Sequence, residues 1–355
     1  MDPALSIVMG RTAADVIRDR GWSGAPFKTL IGASGGPKWL ILSELDQVLA
    51  TELLPTLRSP LTLLGSSIGT WRHACISQPD PVIAIRRLQR AYLHQEYSRT
   101  RPSAQEVSQV AETMLREVLD TRGQQHLIDH PRLHNAIVTA RARGVARARG
   151  GLPLLAGLGA AGLGNAIHRF NLALFFQRVV FAHSALTTVP FAQGFNTARV
   201  ALNESNLVSA LKASGAIPFL MRHEPHIPGA GDGPFWDGGI IDYHFSLNEC
   251  GSNDGLILYP HFRRQLIPGW FDKALPWRHR SRSHPSNLVL MYPSKAFLAQ
   301  LPFGKIPDRR DFRSLTPAAR IHYWETCIRD SGRLAEELYN LLTGDDPLRG
   351  VKVID

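Results

Sequence analysis

Two glycines bracket a pair of serines in Gly65-Ser66-Ser67-Ile68-Gly69, directly after the apolar run Leu61-Thr62-Leu63-Leu64. That run reads as a short buried strand. A G-x-S-x-G turn at its end puts the central serine on a sharp strand-to-helix corner, with its hydroxyl free to act as a nucleophile. The flanking glycines are needed because a Cβ there would obstruct the close backbone crossing. The pattern selects Ser67, not Ser66. Taken alone, the same five residues also describe an ordinary Gly/Ser-rich turn.

A serine that attacks an acyl carbonyl needs donors for the oxyanion that forms. Phe27-Lys28-Thr29-Leu30-Ile31 predicts a strand, and Gly32-Ala33-Ser34-Gly35-Gly36-Pro37-Lys38 follows it. Trp39-Leu40-Ile41-Leu42, Leu45 and Val48-Leu49 then have helical spacing. Free N–H groups at a helix start favour an anion. A nucleotide phosphate loop is excluded, because Pro37 separates Gly36 from Lys38 and Trp39 stands where Ser or Thr is required. The better reading is an oxyanion hole built from the Gly35 and Gly36 N–H groups. Loss of one such donor raises the barrier by ~2.7–4 kcal/mol. A helix-start turn with no ligand is the alternative.

A base is also needed. Asp237-Gly238-Gly239 follows a Gly/Pro-rich loop, and Ala213-Ser214-Gly215-Ala216-Ile217-Pro218 lies shortly before it. A lone D-G-G is usually a turn. In order, however, the glycine loop ending in a basic residue, G-x-S-x-G, the Ala-Ser-x-Ala-x-Pro segment and D-G-G resemble the patatin-like phospholipase family over roughly residues 25–250. The resemblance implies a three-layer α/β/α fold with a central, mostly parallel sheet. It implies a lipid acyl hydrolase, of phospholipase A, lysophospholipase or carboxylesterase type, with Ser67 as nucleophile and Asp237 as base. Neither a metal nor an organic cofactor is required. Gly65, Gly69, Gly238, Gly239 and Lys38 would support the motifs. The glycine loop departs from the family pattern: Ser34 replaces a glycine, Lys38 the commoner Arg, and Trp39 a second glycine.

An ordinary aspartate, pKa about 3.9, is a weak base for this task. Burial would raise it toward the operating range. Two alternatives stay open. One is acyl transfer from the same serine, with one of the fourteen histidines as its partner. The other is a catalytically silent lipid-binding module at a membrane.

The length of 355 residues alone suggests about two domains. No linker stands out, so the expectation is one domain with an insertion over 141–180 and a C-terminal helical extension over 315–343. Cys75, Cys250 and Cys327 are scattered and odd in number. That argues for a reducing, cytoplasmic compartment rather than a disulfide scaffold. The start of the chain lacks a signal-peptide pattern, and no apolar stretch reaches spanning length.

The formal net charge of +10 implies an anionic partner surface. Arg141, Arg143, Arg147 and Arg149 form a basic block, and residues 152–164 beyond it carry no charge. Basic followed by apolar suits a segment that dips into an anionic membrane interface; a buried helix within an insertion is the alternative. Nucleic acid is not expected, because the block has no interleaved aromatics. Trp270-Phe271 and Trp277-Arg278-His279-Arg280-Ser281-Arg282 form a second candidate surface at headgroup level; a solvated loop with a few buried aromatics is the more usual explanation. His126, His130 and His134 are four apart, but Pro131 breaks the helix that would align them for a metal. Thr316 and Pro317 predict the start of a tail helix that Gly344 ends.

Overall fold

The computed structural model describes residues 2–189, 195–247, 255–279 and 284–354. Several apolar runs show no alternation between inward and outward residues. Leu256–Pro260 is buried throughout, and Leu133–Ala142 is buried at every position but one. Strands of this kind need cover on both faces. The strands are β1 (Leu5–Gly10), β2 (Phe27–Gly32), β3 (Leu61–Ser66), β4 (Leu133–Ala142), β5 (Phe176–Ala182), β6 (Thr197–Ala201), β7 (Glu224–Ile227), β8 (Gly231–Asp237), β9 (Leu256–Pro260), β10 (Leu288–Pro293) and β11 (Val351–Ile354). They form one sheet in the order β11-β1-β10-β9-β2-β3-β4-β5-β6, with β8 added to β4 and β7 to β8.

The sheet is mostly parallel. Helices cover both its sides, and the expected three-layer α/β/α architecture is present. The helices are α1 (Arg11–Arg20), α2 (Ser43–Val48), α3 (Ile68–Ile76), α4 (Pro81–Leu93), α5 (Ala104–Val118), α6 (Thr121–Asp129), α7 (Gly151–Ile167), α8 (Leu207–Gly215), α9 (Lys295–Gln300), α10 (Asp311–Ser314) and α11 (Pro317–Thr343).

Register decides what meets at the site. Gly32 at the end of β2 pairs with Gly65 near the end of β3. On β4, β5 takes one edge, while β3 and β8 share the other: Ser66 pairs with Val138, and Asp237 pairs with the next residue, Thr139. The ends of β3 and β8 therefore abut on one edge of one strand. The helices beyond are tied together as well. Arg72 of α3 makes a two-pronged contact with Asp46 of α2, at 2.7 Å on each arm, and both side chains are buried.

Several expectations change. The segment after the glycine loop is not α-helical from Trp39. It is a 3₁₀ turn over Gly36–Leu42, with α2 following it. Pro37 in the first turn has no N–H to donate. The tail helix α11 does start as predicted, with Thr316 Oγ1 accepting from the Ala319 N–H at 3.3 Å and Pro317 in the first turn.

Arg141 does not join a basic face. At the end of β4 its guanidinium donates to the carbonyls of Ala230 and Asp232 and stacks over Phe235. Arg143, Arg147 and Arg149 are exposed. The second candidate surface is only partly aromatic and free. Trp270 and Trp277 are exposed, but Arg278 donates to the Asn165 carbonyl and to Asp272. Arg280 to Arg282 lie outside the described residues, as does Cys250. Cys75 and Cys327 are buried.

The three histidines do not converge. His126 and His130 pack edge to face at 4.9 Å, whereas His134 turns onto β4 and stacks on His183 at 4.0 Å. Among the described residues no group of three potential ligands could hold a metal.

Candidate active site

Ser67 sits between β3 and α3 with φ 54° and ψ −132°. A positive φ is unusual for a residue with a side chain, and it persists only where the surroundings fix it. The two glycines show how. A Cβ on Gly65 would lie 2.9 Å from the Thr70 nitrogen, and one on Gly69 would lie 2.0 Å from the Gly32 carbonyl oxygen. Gly69 thus lets the serine turn touch the start of the glycine loop.

The Ser67 hydroxyl donates to Asp237 Oδ2 at 2.7 Å. The other carboxylate oxygen, Oδ1, accepts from the Gly239 N–H at 2.7 Å. Gly238 is needed here too, since a Cβ would fall 2.2 Å from the Val138 carbonyl oxygen. Both side chains are buried. Burial pushes the Asp237 carboxyl above the ordinary carboxylate range, while the bonds from Ser67 and Gly239 pull the other way.

Ser66 faces away from this bond. Its hydroxyl donates to the Asp242 carbonyl at 2.6 Å and lies 2.7 Å from the Ser34 hydroxyl. The serine that replaces a glycine in the loop is therefore a fastener between two turns.

Gly35 has an extended backbone, and Gly36 has a positive φ of 56°. A Cβ on Gly35 would press on the Phe262 ring at 2.7 Å. Among the described residues no acceptor meets the N–H of Gly35 or Gly36. Gly35 lines a cavity of about 220 Å³ with Ser67, Asp237 and Gly239. Gly36 lines a second cavity of about 1020 Å³, which also reaches Ser67. Ile68, Trp71, Val107, Ala111, Met114 and Leu220 give the larger one apolar walls. Trp39 lines neither; it is buried, packed edge to face on Tyr92.

Lys38 points into the smaller cavity, where Lys273 and Arg309 join it. Its ammonium lies 5.8 Å from the Phe262 ring centre, and that of Lys273 lies 3.5 Å from the Tyr243 ring centre. Among the described residues none of the three forms an ion pair with a carboxylate. Desolvation, and then the neighbouring cations, lower the pKa values of Lys38 and Lys273; Asp308 opposes this at Lys38 and Asp237 at Lys273. Lys273 is solvent-exposed.

Three contributors escape sequence reasoning. Ser214 is one: its hydroxyl accepts from the Ser67 N–H at 2.8 Å and donates to the Val138 carbonyl at 2.7 Å. Its segment was part of the family resemblance, but nothing local assigns the hydroxyl a partner. Lys273 and Arg309 are the others, and only tertiary structure brings them to the loop. No histidine lines either cavity among the described residues.

No protein-family model matches this chain. No curated protein matches it either. Among solved structures, human GIVD cytosolic phospholipase A2 is similar with a TM-score of 0.37 and 11% sequence identity. The match covers 90% of this chain and 62% of that one, so it spans less than two thirds of that protein's length.

Proposed function

We propose that this protein is a lipid acyl hydrolase of the patatin-like class, with Ser67 as nucleophile and Asp237 as its base. The observation that carries the reading is the 2.7 Å bond from the Ser67 hydroxyl to Asp237, in a cavity that Gly35 also lines. Ser67 attacks the ester carbonyl carbon while its proton passes to Asp237. The Gly35 and Gly36 N–H groups receive the oxyanion. The intermediate collapses, the carbon–oxygen bond to the alcohol breaks, and Asp237 returns the proton to the departing oxygen. Water then attacks the acyl-serine, with Asp237 again as base. No step requires a metal or an organic cofactor.

The two cavities divide the substrate. The larger, at about 1020 Å³, is of the size of ligand pockets, ~300–1,000 Å³; its stretch along Ile68, Trp71, Val107, Ala111, Met114 and Leu220 suits an acyl chain, while Arg99, Arg309, Arg310, Arg313 and Arg320 line the rest of it. The smaller is lined by four cations, Lys38, Lys273, Arg309 and Arg310, against two carboxylates, Asp237 and Asp308, and that excess of positive charge suits an anionic group on the alcohol side. Binding an anion there would relieve the repulsion among the cations.

The test is a panel of p-nitrophenyl esters, lysophospholipids, phospholipids and triacylglycerols, run on wild type and Ser67→Ala. Turnover and fluorophosphonate labelling should both vanish with Ser67. Equal activity of the two proteins would reject the reading, and wild type inert on both measures would favour the silent lipid-binding module.

A further inference from the structure

Helix α7 exposes a face that no polar residue occupies. Its exposed positions beyond the first turn's start are Leu152, Pro153, Leu155, Ala156, Gly159, Leu163, Ala166 and Ile167. Leaving out Pro153 near the N-terminus, at 3.6 residues per turn they fall within an arc of about 120°. The opposite face is packed: Leu154, Leu158, Ala161 and Asn165 are buried. The exposure is substantial, with Leu152 at 80%, Leu163 at 72% and Ile167 at 82%. Val145 just before the helix and Leu174 just after it are also exposed. A helix that is apolar all round is ordinarily buried on all sides. A contiguous exposed apolar patch marks an interaction surface.

The surroundings identify the partner. Arg143, Arg147 and Arg149 precede the helix, exposed and without carboxylate partners among the described residues. A second copy of the chain would bring the same cations to the contact, and like charges oppose association. An anionic lipid surface supplies both the missing apolar cover and the missing countercharge. Seventeen residues span about 25 Å, less than the ~30 Å hydrocarbon core, so the helix would lie in the interface rather than cross it. No helix among the described residues is long and apolar enough to cross a membrane.

The helix is also coupled to the Ser67 cavity. Asn165 of α7 donates to Asp272 Oδ1 at 2.8 Å. Arg169 and the Gly269 N–H hold Oδ2 at 3.2 and 2.9 Å. The next residue, Lys273, lines the smaller cavity, as does the exposed Trp270.

We propose that α7 is an in-plane docking helix for an anionic bilayer, seated by Leu152, Leu155, Leu163 and Ile167 and drawn in by Arg143, Arg147 and Arg149. Delivery of ester from that surface to Ser67 rests on the hydrolase reading; the docking itself does not.

The experiment is sedimentation with vesicles of ether-linked phosphatidylcholine, with and without ether-linked phosphatidylserine. These lipids carry no acyl ester, so the outcome is independent of catalysis. Wild type should bind the serine-containing vesicles, more weakly as salt rises. Leu152→Gln/Leu155→Gln/Leu163→Gln should lower the partition coefficient by about tenfold or more, since each buried leucine counts. Arg143→Gln/Arg147→Gln/Arg149→Gln should bind weakly at low salt and lose most of the salt dependence. Circular dichroism melting curves establish that each variant is folded. Equal binding by wild type and the leucine variant would overturn the proposal, as would failure of wild type to sediment. A lipid-free dimer of wild type that the leucine variant dissociates would assign the face to a second copy instead.

Discussion

Ser214 holds Ser67 by the backbone: the Ser67 N–H reaches the Ser214 hydroxyl at 2.8 Å, and that hydroxyl continues to the Val138 carbonyl at 2.7 Å. One buried hydroxyl thus fixes a residue at φ 54° against β4, the strand that also carries Asp237 by pairing. Ser214→Ala leaves the Ser67 N–H without its acceptor. Misplacement of a reacting group by about 1 Å costs roughly 100-fold in rate. We expect kcat to fall by about ten- to a hundredfold with KM little changed. A purely structural role would instead lower the melting temperature and leave kcat of the folded fraction intact.

Ser67→Ala should abolish turnover, while Ser66→Ala should keep it and lose stability. The Ser66 hydroxyl bridges Ser34 and the Asp242 carbonyl inside the protein. Leaving such groups unsatisfied costs about 1–3 kcal/mol. Thermal melts and a soluble-ester assay on both variants separate the two roles. Loss of activity in Ser66→Ala alone would move the nucleophile by one residue.

In the proposed mechanism Asp237 must be ionised to accept the Ser67 proton, and burial raises its pKa. Activity should therefore fall on the acid side at a pH above the ordinary carboxylate value of 3.8. Asp237→Asn should reduce kcat by about 100- to 10,000-fold. Stability should respond in the opposite sense. A carboxyl whose pKa is higher folded than unfolded contributes stability at low pH and loses it as pH rises through the folded value. Asp237→Asn should then melt higher than wild type at pH 8. A lower melting temperature at pH 8 would show that the carboxylate's bonds outweigh its burial.

Lys273 should govern choice of alcohol. With esters that share one acyl chain, Lys273→Gln should lower the kcat/KM preference for a phosphate-bearing alcohol over neutral glycerol by about tenfold, through KM. Lys273→Arg should restore most of it, because the charge is kept. An unchanged preference in Lys273→Gln would leave the cationic wall without a role in selection.

The stacked pair His134 and His183 should make the protein acid-sensitive. Burial is the first cause lowering both, to about 4 for His183; the neighbouring His134 lowers His183 further, while Asp129 opposes the shift at His183 and a hydrogen bond to the Pro131 carbonyl opposes it at His134. A histidine with a lowered folded pKa contributes stability above its unfolded value of 6.5 and loses it as pH falls toward the folded value. The loss should run from about pH 6.5 to about pH 4. His183→Phe should flatten the melting temperature across that window; an unchanged slope would acquit the pair.

Local chemistry made much of the candidate site legible. The strands before Gly32 and Gly65 are apolar runs, and the glycines announce themselves because any Cβ there collides with backbone or ring. What sequence could not show is adjacency across the sheet. That β8 meets β3 on one edge of β4 is a matter of register across a sequence separation of 170 residues. Arg309 sits in the polar run Asp308-Arg309-Arg310, which reads as a solvated loop. Arg141 illustrates the reverse error. It belongs to a run of arginines in sequence, but it lies on β4, and the strand aims it at the carbonyls beside Asp232.

Two cavities meet at Ser67, and under the hydrolase reading that junction would set an order of departure. A cleaved alcohol would lie on the side of Lys38 and Lys273, which line the smaller cavity alone. The acyl half would stay tethered to the serine, threaded along Trp71, Met114 and Leu220. The two products then need not share a door, and the second can linger after the first has gone. Under the hydrolase reading, clearance of a greasy tail would then be the slow event of each cycle, and detergents or carrier proteins that draw fatty acid away would set the pace.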